Sequence, residues 1–171
     1  MAGGLHYESI ADLPPGMRRQ VAGKVMEKAA AAGNVAGRGK MKFRNEPVNV
    51  HGIRFASKKE ARRFLQLMDA FREGVISDLR LQQDFTLQEA YTTPEGQRIR
   101  AIRYQADFTY RIDWAGDYVP TGISFADLEC WRKLGQGARV VEDTKSKPTK
   151  TPQYRLKYKL MADKGYIIRE V

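Results

Sequence analysis

The sequence predicts a mixed α/β domain, and three patterns lead there. Residues 79–87, LRLQQDFTL, put Leu79, Leu81, Gln83, Phe85 and Leu87 on one side at a period of two, as a strand with one buried face requires. Residues 98–112, RIRAIRYQADFTYRI, alternate likewise. Ile102, Tyr104, Ala106, Phe108, Tyr110 and Ile112 fall on one face, and Arg103, Gln105, Asp107, Thr109 and Arg111 on the other. Segments of helical pattern bracket these strands, so the order helix, three strands, helix, strand implies a mixed sheet flanked by helices.

The elements follow in order. Residues 13–34, LPPGMRRQVAGKVMEKAAAAGN, predict an N-terminal helix opened by Pro14 or Pro15 and stopped by Gly33-Asn34. Its apolar face is thin. The stretch VAGRGKMKFRNEP interleaves Gly37 and Gly39 with Arg38, Lys40, Lys42 and Arg44, which is the composition of a flexible basic linker. Such a linker is either a phosphate-contacting arm or a solvated tether. The organisation expected is residues 1–47 as helix and linker, then residues 48–171 as the compact domain. A short strand, VNVHGIRF, precedes the helix SKKEARRFLQLMDAFREG, whose stop is Gly74. TTPEGQ is a turn between the two long strands. Residues 113–137 look like an irregular insertion around SFADLECWRKLG, a short helix capped by Ser124 with Asp127 three residues on. The strand ARVVEDTKS comes next. The helix TPQYRLKYKLMADKG has Thr151 as N-cap, Pro152 at its first position and Gly165 as its stop, and the strand YIIREV follows it.

Thirty lysines and arginines against twenty acidic residues give a formal charge of +10, which favours a polyanionic partner, nucleic acid foremost. The single cysteine, Cys130, cannot close an internal disulfide and has no companions at metal-ligand spacing. No apolar run is long enough for a bilayer and the N-terminal residues carry no secretory pattern, so a cytoplasmic protein without a membrane partner is expected.

The residues able to carry chemistry converge on ARVVEDTKS. Along a strand, Asp143 and Lys145 point one way and Glu142 the other with Thr144. A carboxylate and an ammonium on one face either form an ion pair or enter a site that holds a divalent cation and a phosphate. Asp107 would approach Asp143 if its strand were the antiparallel neighbour, and two such carboxylates invite a cation between them. Glu60 has two readings: the far half of a capping box with Ser57, or a site ligand at the inner end of the stripe Phe64, Leu67, Phe71. Gln83 lines a site or is a hydrogen-bonded core glutamine. Lys157, one turn beyond Tyr154, can reach a phosphate, whereas Arg155, Lys159 and Lys164 form that helix's solvated face. His6 and His51 are unaccompanied, and Trp114 and Trp131 either stack on unpaired bases or, as the simpler use, pack.

Taken in order, FASKKEARRF, LRLQQDFTL, IRYQADFTY, VVEDTKSKPT, YRLKYKL and a terminal strand ending in EV resemble the PD-(D/E)XK nuclease superfamily. More narrowly, residues 51–171 look like a family of small, uncharacterised bacteriophage proteins within it. The resemblance implies a restriction-endonuclease-like αβββαβ core and a Mg²⁺-dependent endodeoxyribonuclease, with Mn²⁺ as substitute. It implies Asp107, Asp143, the Thr144 backbone carbonyl and Glu60 as metal ligands and Lys145 as the residue that orients water or stabilises developing charge. Arg38, Lys40, Lys42, Arg44, Lys147, Lys150 and Lys157 would hold the DNA backbone. DNA that is branched or contains single strands, a homodimer presenting two sites, and the cytoplasm of an infected or lysogenic host complete the expectation. The sequence departs from the superfamily in having Ala106 where the signature has proline, and in the length of residues 113–137. Two alternatives stand beside the enzyme: a non-catalytic DNA-binding or packaging accessory protein, and a protein-binding inhibitor of a host system.

Overall fold

A computed structural model describes residue 18 and residues 47–120, 122–145 and 150–171. The expected N-terminal helix and basic linker fall outside the described residues, apart from Arg18, which is helical and exposed. The chain divides into two compact units, Met1–Leu65 and Gln66–Val171.

In the first unit the segment expected as one strand is a hairpin, β1 (Val48–Val50) paired antiparallel with β2 (Ile53–Phe55). The reason lies in His51-Gly52. Both residues have positive φ, 51° and 78°, the conformation a two-residue hairpin turn needs and one that glycine adopts without a steric penalty. Helix α1 (Lys58–Arg72) follows and runs across the boundary into the second unit. Glu60, Phe64 and Leu67 of the predicted stripe are buried, Phe71 is only half-buried, and Met68 is buried as well. Phe55 packs its ring 5.0 Å from that of Phe64.

The second unit is built on β3 (Ile76–Gln88), β6 (Ile102–Ile112), β7 (Arg139–Asp143) and β8 (Ile168–Glu170). Among the described residues these form a four-stranded sheet in the order β3-β6-β7-β8, antiparallel except for the parallel β7–β8 pair. The segment around TTPEGQ forms a small hairpin of β4 (Tyr91–Thr92) and β5 (Arg98–Ile99). Helix α3 (Pro152–Asp163) places Tyr154 and Met161 in a core with Leu87, Tyr104, Ala106, Val141 and Ile168. Its start is as read: Thr151 Oγ1 accepts from the Tyr154 N–H, and Pro152 occupies the first turn.

Residues 113–137 are part of this architecture and not an appendage. Helix α2 (Phe125–Leu134) begins at a capping box between Ser124 and Asp127 and buries Leu128 and Trp131. The Trp131 indole N–H donates to the Tyr110 hydroxyl at 3.1 Å, and Tyr110 in turn donates to Glu142 Oε1 at 2.6 Å. The Arg169 guanidinium closes the network, 2.8 Å from Glu142 Oε1 and 2.5 Å from Asp127 Oδ1. Burial opposes the charge on Arg169, but Glu142 and Asp127 outweigh it and hold its pKa above the ordinary value.

Simple alternation along β6 does not hold throughout. Tyr104 meets Asp143 whereas Tyr110 meets Glu142, and consecutive residues of β7 point to opposite faces. The change of face lies between residues 104 and 110. It coincides with Gln82 of β3, which sits between the partners Leu81↔Phe108 and Gln83↔Ala106 and has φ 49°. Holding a non-glycine residue in that conformation costs about 1–2 kcal/mol, and the β3–β6 register runs through it unshifted. The sheet therefore has α3 on the Tyr104 face and α2 on the Tyr110 face.

Removing the Arg169 side chain leaves Glu142 and Asp127 buried without their cation. Arg169→Ala should lower the unfolding free energy by about 3–5 kcal/mol in a urea titration. A loss below about 1 kcal/mol would contradict the network's role.

Candidate active site

The antiparallel register Phe108↔Glu142 brings Asp107 and Asp143 to neighbouring positions across β6 and β7. Asp107 does not face solvent idly. Its Oδ2 accepts the backbone N–H of Thr144 at 2.7 Å and the Thr144 hydroxyl at 2.6 Å, so it is tied to the residue that follows Asp143. The Asp143 backbone carbonyl accepts the N–H groups of Lys145 and Val171, which fixes the end of β7.

Asp143 itself has a fully buried side chain. Its Oδ2 accepts a short hydrogen bond from the Tyr104 hydroxyl. Its Oδ1 lies 2.9 Å from the Lys145 ammonium, yet no hydrogen bond of good geometry reaches that oxygen among the described residues. The Lys145 ammonium also sits 5.4 Å from the centre of the Tyr154 ring, a cation–π distance. Burial raises the pKa of Tyr104 far above its ordinary value, and the hydrogen bond to Asp143 raises it further, so the hydroxyl remains a donor. Tyr154 is raised in the same way, by burial first and then by Asp143 and Glu170.

These groups open onto a cavity of about 320 Å³. Tyr104, Asp143 and Lys145 form one side of it, and Thr151, Tyr154 and Lys157 of the α3 segment form the other. Lys157, expected at a phosphate, is thus in the same cavity as Asp143 and Lys145. Glu142 is excluded to the other face, where Tyr110 and Arg169 hold it.

The remaining expectations fare differently. Glu60 lies in the first unit, buried, with its Oε2 accepting the Ala56 N–H at 2.8 Å while its own N–H donates to Ser57 Oγ at 3.2 Å. The capping box therefore forms with its carboxylate half shifted one residue, from the Ser57 N–H to that of Ala56. Gln83 does not line the Asp143 cavity. Its amide donates to the Asp84 carbonyl, and it borders a second cavity. Lys150 pairs with Glu170, whose other oxygen accepts from the Tyr154 hydroxyl at 3.0 Å, so its charge is already matched. Arg38, Lys40, Lys42, Arg44 and Lys147 lie outside the described residues. Trp114 and Trp131 are buried and pack edge to face, 6.2 Å apart.

The donor set suits a hard divalent cation in part. Two carboxylates on adjacent strands, one with a buried oxygen lacking a hydrogen bond, are the oxygen ligands that Mg²⁺ takes alongside water and substrate phosphate. Among the described residues, however, no three acidic, histidine or cysteine side chains group as a metal would need, so a complete protein shell is not assembled. Tyr104 and Tyr154 are the site members that sequence reasoning missed. Tyr104 reads as a core aromatic by alternation, and only the change of face on β6 reveals its hydroxyl as Asp143's partner.

The fold and site define a class: a mixed α/β domain with an Asp-Asp-Lys cluster where the end of β7 meets the middle of its antiparallel neighbour β6. Residues 40–119, just under half of the chain, match the family described as "Protein of unknown function (DUF1064)". No curated protein and no solved structure matches the chain. None of the helices among the described residues is long and apolar enough to cross a membrane.

Two outcomes follow. Tyr104→Phe leaves the Asp143 oxygen buried without its donor and should cost about 1–3 kcal/mol in chemical denaturation. The hydrogen bond from Lys150 holds the Glu170 carboxyl below its ordinary 4.5, against the opposing effect of burial, and Tyr154 lowers it further. A carboxylate so depressed stabilises the fold fully above its unfolded pKa, and that contribution fades as pH falls through the lower folded value. The thermal midpoint of Glu170→Gln should accordingly fall less steeply than wild type below pH 4.5. Parallel acid limbs would exclude the linkage.

Proposed function

We propose that the protein is a Mg²⁺-dependent endodeoxyribonuclease of the PD-(D/E)XK type. The observation that carries the reading is the sharing of one cavity by Asp143, Lys145 and Lys157, with Asp107 fastened to Thr144, the residue that follows Asp143. Asp107, Asp143 and the Thr144 carbonyl would hold the cation, which supplies a water of lowered pKa and offsets charge on the phosphate. Tyr104 fixes the Asp143 carboxylate through Oδ2 and leaves Oδ1 as the oxygen nearest Lys145. Lys145, steadied over the Tyr154 ring, faces the anionic oxygens that develop as water adds to phosphorus and the ester P–O bond breaks. Lys157 adds a second cation for the phosphodiester backbone and reads no sequence. Branched recombination or replication intermediates in a bacteriophage's host cytoplasm, cut by a homodimer, are the setting that the resemblance suggests. Two carboxylates near DNA would repel phosphate in a purely binding protein, which favours the enzyme.

One observation favours the accessory reading, a DNA-binding protein that retains the fold without cleavage. Lys145 neutralises Asp143 directly, at 2.9 Å from its Oδ1.

Cleavage of linear, supercoiled, flapped and four-way-junction DNA with Mg²⁺ or Mn²⁺ separates the two. Wild type should cut at least one substrate, and Asp107→Asn and Lys145→Ala should each slow cutting by about a hundredfold. If no substrate is cut, the enzyme reading fails. If both variants cut as wild type does, the site assignment fails.

A further inference from the structure

A second and larger cavity, of about 460 Å³, lies on β3 and the segment joining α3 to β8. Its walls combine cations with aromatic rings: Arg80, Arg139 and Lys164 supply the charge, and Phe85 and Tyr166 the rings. Tyr166 meets Phe85 edge-on at 4.9 Å and remains 37 % exposed, so one aromatic surface is anchored and another is open. The cations are arranged as well as gathered. Asp78 takes Nε of Arg80 at 2.7 Å and a terminal nitrogen of Arg139 at 2.6 Å, which holds two guanidinium forks in place with further N–H donors on each. Those bonds keep the Asp78 carboxyl below its usual range although burial pushes the other way, so it stays ionised as the anchor.

The backbone is strained around this wall. Asp78 and Gln82 both have positive φ, 48° and 49°, and they bracket Arg80 and adjoin Gln83. Non-glycine residues held in that conformation within a strand commonly mark a place where side-chain aim matters. A hydrogen bond ties the lining of this cavity to that of the first. Asp84 on its lining accepts from Gln105, which lines the Asp143 cavity, at 3.1 Å.

We propose that this cavity docks an unpaired nucleic-acid strand, with its phosphates on Arg80, Arg139 and Lys164 and a base stacked on Tyr166. The chemistry is that of sequence-tolerant single-strand binding, where cations track the backbone and aromatic faces take the bases. The proposal rests on the reading that the protein acts on DNA, and it names an unpaired strand beside the cleavage site as what that substrate must offer. It does not need cleavage to be true.

The test is fluorescence anisotropy of a labelled oligothymidylate of roughly 12 nucleotides, in EDTA so that no cutting occurs. Wild type should bind this strand about tenfold tighter than a duplex of equal length. Tyr166→Leu, which keeps an apolar contact for Phe85, and Lys164→Glu, at an exposed position, should each weaken it by about five- to tenfold. Tyr166→Phe should bind as wild type does, and an abasic strand should bind as weakly as duplex. Because the measurement is made in EDTA, binding is read without cleavage, so that a failed nuclease assay and a failed docking site give different results. No wild-type binding, an abasic strand bound as well as oligothymidylate, or both Tyr166→Leu and Lys164→Glu within about twofold of wild type would overturn the proposal.

Discussion

Two consecutive carboxylates with no exposed surface, Glu142 and Asp143, impose the constraint around which the second unit is organised. A buried charge is tolerated only when paired and hydrogen-bonded, and neighbours on a strand must be satisfied on opposite faces. The protein meets the two demands differently. Glu142 receives a guanidinium and a tyrosine hydroxyl, and its surroundings are closed by Trp131 and Asp127. Asp143 receives a tyrosine hydroxyl and a lysine at the wall of a cavity, with one oxygen left short of a hydrogen bond. One acid is saturated and the other is under-satisfied. That contrast separates a carboxylate enclosed by its partners from one that borders a cavity.

The same contrast explains the use of residues 113–137. Helix α2 supplies Asp127 and Trp131 to the saturated side, and Arg169 is shared between Asp127 and Glu142, so helix, β7 and β8 are bound through one guanidinium. Helix α3 serves the other face, where Tyr154 lies under the Lys145 ammonium and also donates to Glu170. Each face of the short strand β7 therefore has its own helix and its own ionic partner.

Much of this was legible in the sequence because periodicity and caps are local. The strands around Leu79–Leu87 and Ile102–Ile112, the Ser124 and Thr151 caps and the stop at Gly74 all follow from residues within a few positions of one another. The separation of Glu142 from Asp143 also follows from strand geometry alone. The hairpin at His51-Gly52 was missed because eight residues of mixed pattern read equally as one strand. Tyr104 was missed for a deeper reason. Its role depends on a partner 39 residues away across a change of face on β6, and no window of sequence around Tyr104 contains that information. Arg169 was likewise unreadable, since its partners Glu142 and Asp127 are 27 and 42 residues away.

The parallel pairing of β8 with β7 has a consequence for the order of assembly. Antiparallel β3, β6 and β7 can zip through successive neighbours, but β8 must cross over through α3 before it can pair. Until it does, Glu142 lacks its guanidinium and the Asp143 carbonyl lacks the Val171 N–H. A chain that buried β7 early would strand an uncompensated charge in its interior. The edge strand and the residue after it thus carry partners that the charged centre of the sheet needs in the folded state.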